Sequence, residues 1–240
     1  MLMVMIVILL GILSGLLIYK YTTHYINESV IETWPKEIKL LFECNIPKIS
    51  KKLSIPKIYV VSFVCCILWI SIYWKYSLTI QFFCYSVFCS LLVTTSITDV
   101  CVMRIPNNIV IYALLPAGIL VSKHMWFSTM VERRASTYSS INPIAPVYGL
   151  LPCFVLLLFS LLKDIARIKK ASIGMGDIKL IGVIGLILGL QKCMVAVILA
   201  TMIGAFVGIV LLITKRVKYN SSISFAPFIA AGVYIALLNF

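Results

Sequence analysis

Aspartate is scarce in this chain, and two of its three aspartates stand beside long apolar stretches. The 240 residues include eight acidic side chains, and the only aspartates are Asp99, Asp164 and Asp177. Asp99 directly follows one apolar stretch, and Asp177 directly precedes another. An ionisable side chain beside hydrocarbon is costly and is by default a functional candidate. We therefore take Asp99 and Asp177 as candidate catalytic residues, and we interpret Asp164, among lysines and an arginine, as a solvated pairing charge.

Two carboxyl groups that share one site can hydrolyse a peptide bond. They cannot both ionise easily, so one of them keeps a proton near neutral pH and the two titrate as a pair. The ionised group can take a proton from water, and the protonated group can donate a hydrogen bond to the scissile carbonyl. An alternative is that both aspartates only end helices. That suits Asp177 at a helix N-terminus better than Asp99 at a C-terminus.

The neighbours of the two aspartates have their own chemistry. Gly174 and Gly176 permit unusual backbone angles and let a substrate backbone approach Asp177. Pro106 fixes a turn and Asn107 can cap the next helix. For these two residues and the two glycines, a purely structural role is the favoured interpretation. The basic residues Arg104 and Lys179 could hold carboxylates or bind lipid phosphate, and a plain preference for the inner side of a membrane explains them equally well.

The two segments resemble the paired motifs of the type IV prepilin peptidase family, D-x-x-x-x-x-I-P-N and G-x-G-D-x-K-L. Here they read D-V-C-V-M-R-I-P-N from Asp99 and G-M-G-D-I-K-L from Gly174. The resemblance covers about Thr94 to Leu180, and it extends more weakly to Phe225–Phe228, where Ala226 replaces a glycine. A single G-x-G-D motif would be weak evidence for the family, but the two motifs in this order and spacing are specific to it.

The resemblance implies an aspartic endopeptidase of the GxGD type. Such proteins cleave the basic leader of type IV prepilins or pseudopilins at the cytoplasmic face of the bacterial inner membrane, usually after a glycine. It implies Asp99 and Asp177 as catalytic residues, and Arg104, Pro106, Asn107, Gly174, Gly176 and Lys179 as supporting residues. The expected partners are the prepilin substrate and membrane lipid, without nucleic acid, in a type IV pilus or protein secretion system.

Many members of that family also N-methylate the new terminus with S-adenosylmethionine. They often carry a larger cytoplasmic loop with two C-x-x-C pairs. The corresponding stretch here, Lys20–Lys57, contains one cysteine, Cys44. We therefore expect cleavage without a cofactor, and S-adenosylmethionine only if a methyltransferase activity is present.

Composition restricts the class of protein. Hydrophobic residues make up 62% of the chain and charged residues 12%, whereas a soluble domain is about a quarter charged. The net charge of +13 comes without a nucleic-acid motif, and basic loops at a membrane explain it. The eight cysteines form no C-x-x-C pair, so neither a disulfide framework nor a metal site is predicted.

The apolar stretches predict an all-α, polytopic transmembrane bundle of about eight spans, or six if the shortest do not cross. We assign residues 1–57 to an N-terminal anchor with a short cytoplasmic loop and residues 58–240 to the peptidase core. Glycines at three- and four-residue spacing near the sixth and seventh spans favour close helix packing. The predicted spans are Leu2–Tyr19, Ile58–Trp74, Ser77–Thr98, Asn108–Ser122, Ala145–Leu162, Ile178–Leu190, Met194–Thr214 and Phe225–Phe240.

The distribution of basic residues predicts the orientation of the spans. With the N-terminus outside, 16 of the 21 Lys and Arg residues fall on the inner side, together with Asp99 and Asp177. Two longer loops are expected, Lys20–Lys57 inside and Lys123–Pro143 outside. The main alternative function is a small transporter or ion-pathway protein that uses Asp99 and Asp177. Transporters usually bind at the midplane within inverted repeats, and the sequence shows no repeat.

Overall fold

The structure, a computed structural model, describes residues 2–33, 56–134, 145–165, 174–214 and 224–239. Its regular elements in these segments are all helices, which confirms the all-α prediction. We number them α1 Leu2–Thr33, α2 Pro56–Tyr76, α3 Ile80–Val102, α4 Asn107–Arg134, α5 Ala145–Tyr148, α6 Leu151–Ile165, α7 Met175–Ile213 and α8 Ala226–Asn239.

Five of the helices are long and apolar enough to cross a membrane, which agrees with the predicted multi-pass protein. Two further apolar helices, Leu151–Leu161 and Ala226–Asn239, are shorter. The five longer candidates are Met3–Ile26, Ile58–Tyr76, Ile80–Val102, Asn107–Trp126 and Met175–Ile213.

Helix α7 is two helices that meet at Gly189. Gly189 has φ 75° and ψ 173°, a conformation that only glycine adopts without strain. Cys193 Sγ lies 4.0 Å from the carbonyl oxygen of Ile181, although twelve residues of straight helix would extend about 18 Å. The chain therefore turns back on itself at Gly189, and the separate sixth and seventh spans are confirmed as separate helices.

Two predicted loops are wrong over part of their length, because the helices continue beyond their apolar stretches. Helix α1 extends past Tyr19 to Thr33, and α4 extends past Ser122 to Arg134. Neither extension contains Gly or Pro, so nothing in the backbone ends the helix where the apolar residues end. In the extension of α1, His24 and Glu28 are one helical turn apart, and His24 Nδ1 lies 3.4 Å from Glu28 Oε2. Residues 34–55 of the first loop, with Cys44, lie outside the described residues.

The fifth predicted span is also not one continuous helix. Gly149 and Leu150 form a turn between α5 and α6, and the N–H of Leu150 donates to the carbonyl of Val147 at 3.0 Å. Pro152 fits the first turn of α6, where its missing N–H costs nothing. Asp164 lies in the last turn of α6, and its side chain is outside the described ones.

The chain forms two compact units, Met1–Arg104 and Ile105–Phe240. In the first unit α1 packs on α2 and α3, and Gly11 and Gly15 let it approach Cys66 and Ser62 closely. In this unit Trp69 Nε1 donates to Ser90 Oγ at 3.1 Å in a buried hydrogen bond between α2 and α3.

In the second unit α7 packs against α4, α5, α6 and α8. A β-carbon on Gly185 would overlap the carbonyl of Gly149, and one on Gly232 would overlap the backbone at Ala196. Gly185 brings two backbones together as the small-residue spacing predicts, whereas Gly232 in α8 does so outside the predicted set.

Candidate active site

Asp99 lies in the last turn of α3 and is only 7% exposed. Its backbone carbonyl accepts a hydrogen bond of 2.8 Å from the N–H of Met103. Met103 has φ 54° and ψ 36°, the left-handed conformation that ends many helices and that usually belongs to glycine. The helix therefore stops sharply four residues after the carboxyl group.

A line of buried hydroxyl groups runs along one face of α3 and ends at Thr98, the residue before Asp99. Ser86, Ser90, Thr94 and Thr98 recur at four-residue spacing and so share one face of the helix. The last three donate to the carbonyl oxygens one turn earlier, at 2.9, 2.9 and 3.1 Å. The sequence analysis missed this polar face, although hydroxyl residues four apart within an apolar stretch are a visible signal.

Asp177 is the third residue of α7, and Gly174 precedes the helix as its N-cap. The N–H of Asp177 donates to the carbonyl of Gly174 at 3.0 Å. A β-carbon on Gly174 would lie 3.1 Å from Asp177 Oδ2, so the carboxyl group uses space that the glycine leaves. The partial positive charge at a helix N-terminus suits a carboxylate here, whereas Asp99 lies at the opposite kind of helix end.

The I-P-N segment packs directly on the first turns of α7. Ile105 fills the space beside Gly176, where a β-carbon would lie 3.1 Å from Ile105 Cβ. Lys179 Nζ donates to Asn107 Oδ1 at 3.1 Å. Pro106, between the two contacts, is buried. The carboxyl-terminal half of the first motif and the second motif therefore form one structure.

Six predicted site residues belong to the second unit, where the structure brings them together: Pro106, Asn107, Gly174, Gly176, Asp177 and Lys179. Asn107 is the first residue of α4, and its side chain bonds Lys179. Asp99 and Arg104 belong to the first unit, with Arg104 exposed at its last position. The pairing of the two aspartates stays a prediction. The sequence alone assigns no role to Ile105, which packs beside Gly176. Within the described segments, no group of three or more His, Cys, Asp or Glu residues could hold a metal ion.

These features define a multi-pass helical membrane protein with Asp99 at a helix end in the first unit and Asp177 at a helix end in the second. The family model of the type IV leader peptidase family matches residues 86–209, which is more than half of the chain and includes both aspartates. The chain belongs to this family of peptidases.

Similar curated proteins carry the name prepilin leader peptidase/N-methyltransferase. The protein from Bacillus subtilis is 34% identical over 167 residues, which is 68% of this chain and 58% of that protein. The one from Burkholderia pseudomallei strain 1026b is 33% identical over 144 residues, 60% of this chain and 42% of that protein. This chain thus spans about half the length of these relatives. No solved structure matches it.

Proposed function

We propose that this protein is an aspartic endopeptidase that removes the basic leader of type IV prepilins or pseudopilins. Asp99 and Asp177 are its catalytic pair, and they act at the cytoplasmic face of the bacterial inner membrane. The observation that carries the proposal is the arrangement around Asp177. Two glycines leave room for its carboxyl group and for Ile105, within a region matched by a family of leader peptidases.

The proposed hydrolysis needs one proton shared between two carboxyl groups. The carboxylate takes a proton from water while the water oxygen bonds to the carbonyl carbon, and the protonated partner donates to the carbonyl oxygen. The C–N bond of the resulting tetrahedral intermediate then breaks. A carboxyl group gives its proton to the leaving nitrogen, so the pair again holds a single proton.

The orientation rests on the distribution of charge. If α7 is counted as two helices and the shorter α6 and α8 are taken as crossings, the number of crossings equals the eight of the predicted topology. The excess of Lys and Arg then supports an N-terminus outside and both aspartates at the inner face.

We restrict the proposal to cleavage. The relatives are also named N-methyltransferases, and a methyl transfer would need a donor such as S-adenosylmethionine. The stretch that corresponds to the larger cytoplasmic loop of many family members, Lys20–Lys57, is described only at its ends. The family match gives no support to the transporter alternative.

The test is cleavage of a matched prepilin in membranes that contain equal amounts of each variant. We expect Asp99→Asn and Asp177→Asn each to lower the cleavage rate at least about hundredfold, because Asn keeps the volume but cannot exchange the proton. Asp164→Asn is the matched control, since it makes the same change at the remaining aspartate, and it should cleave like the wild type. Near-full activity in either Asp99→Asn or Asp177→Asn would refute the two-aspartate mechanism.

A further inference from the structure

We infer that Lys179 is a positioning residue. Its hydrogen bond to Asn107, together with the packing of Ile105 on Gly176, holds the I-P-N segment on α7 and so fixes the helix turn that carries Asp177. We call these two contacts the latch. The inference deepens the proposed function and rests on it where it concerns hydrolysis.

The latch joins residues that lie far apart in sequence: Ile105 contacts Gly176, and Asn107 contacts Lys179. Gly176 and Lys179 are three residues apart, so they share one face of α7. Ile105 and Asn107 are two residues apart and flank Pro106, whose ring fixes its own φ angle. The N–H of Ile109 donates to the carbonyl of Pro106 at 3.1 Å, which continues the segment into α4. Two contacts on a rigid turn therefore define how α4 meets α7.

The position of Lys179 on α7 separates it from the reacting carboxyl group. Residues two apart on a helix point about 160° away from each other, so the side chains of Lys179 and Asp177 leave α7 on opposite sides. The Asp177 carboxyl group instead lies toward Gly174. Lys179 therefore acts on the turn and not on the substrate.

The latch also fixes the point at which the second unit begins. Ile105 is the first residue of the second unit, and Arg104 is the last of the first. A segment free to move at Ile105 would loosen the turn of α7 that it packs on, and this turn carries Asp177. Misplacement of reacting groups by about 1 Å can cost about a hundredfold in rate.

The test measures kcat and KM for prepilin cleavage with the full chain in membranes. We expect Lys179→Met and Asn107→Ala each to lower kcat about tenfold or more with KM nearly unchanged, and the double variant to be no slower than the slower single one. Asn107→Asp keeps the acceptor and should stay within about threefold of the wild type. Lys123→Met, at an exposed lysine of α4, is the matched control for a lost charge.

Asn107→Ala is decisive, because it breaks the latch without removing a positive charge. If Lys179→Met is slow and Asn107→Ala is not, Lys179 acts through lipid phosphate or membrane orientation, and the inference is overturned. Equal losses in Asn107→Asp and Asn107→Ala would also overturn it.

Thermal unfolding of the same variants in detergent tests the latch apart from catalysis. The two single substitutions should lower Tm, and the double variant should lower it by less than their sum. Additive shifts would count against the latch. If the wild type cleaves no prepilin but the non-additive Tm shifts are present, the proposed function fails and the latch stands.

Discussion

The Oδ2 atom of Asp177 lies 3.1 Å from the position that a β-carbon on Gly174 would take. The backbone of Gly174, with φ −59° and ψ 130°, is open to any residue. The glycine is therefore explained by the space it leaves for the carboxyl group and not by its conformational freedom.

Gly174→Ala should displace the Asp177 carboxyl group by a few tenths of an ångström. We expect kcat for prepilin cleavage to fall about tenfold while Tm stays within about 2 °C, because a small misplacement costs rate before it costs stability. The control is Gly118→Ala in α4, where a β-carbon would meet nothing within 4 Å. A Gly174→Ala variant with wild-type kcat would show that the carboxyl group does not depend on this space.

Gly189→Ala tests the reversal within α7. The new methyl group would have open space, so any loss comes from the backbone, which would hold an L-residue at φ 75°. We expect the free energy of unfolding in detergent to fall by about 1–3 kcal/mol. Gly118→Ala also enters open space but within an ordinary helix, and it should leave stability unchanged or raise it by up to about 1 kcal/mol. Equal effects at the two positions would contradict the reversal.

Met103→Gly should stabilise the protein. A left-handed conformation costs an L-residue about 1–2 kcal/mol, and glycine avoids this cost while adding freedom to the unfolded chain, so we expect a net gain of about 0.5–1 kcal/mol. Met103 is 58% exposed, so little packing is lost. The same change at Met202, which is 64% exposed inside α7, should instead cost about 1 kcal/mol. Denaturation in mixed micelles measures both, and a loss at Met103 would contradict the prediction.

Ser90→Ala removes the acceptor of the buried Trp69 N–H. We expect the free energy of unfolding to fall by about 0.5–1.5 kcal/mol, in the range of hydrogen bonds between membrane helices. The double variant Trp69→Phe, Ser90→Ala should cost less than the sum of the two single changes, because it no longer contains the indole N–H that Ser90→Ala alone leaves unpaired. Ser122→Ala, at an exposed serine that bonds only within its own helix at 3.0 Å, should have no effect.

Sequence reasoning predicted the elements of this fold better than their ends. Apolar stretches identify the helices, but the end of an apolar stretch is not necessarily the end of the helix. For that reason α1 and α4 run on past Tyr19 and Ser122. The break at Gly149 within an otherwise apolar stretch was missed because a single glycine is compatible with a continuous helix.

The candidate site was predicted as residue types, and its contacts were not. The two motifs named the residues around Asp99 and Asp177 because their spacing is specific. The bond between Asn107 and Lys179 joins residues 72 positions apart, and no local pattern specifies such a partner. The left-handed Met103 was also beyond reach, since methionine gives no signal for that conformation.

The fit of Ile105 beside Gly176 couples the two motifs, because the residue at one position affects which residues fit at the other. A β-carbon at position 176 would lie 3.1 Å from Ile105 Cβ, so a side chain there needs Ile105 to shift by a few tenths of an ångström or to be replaced by a smaller residue. Drift at these two positions is therefore expected to be correlated, with a smaller residue at 105 appearing before or together with a larger one at 176.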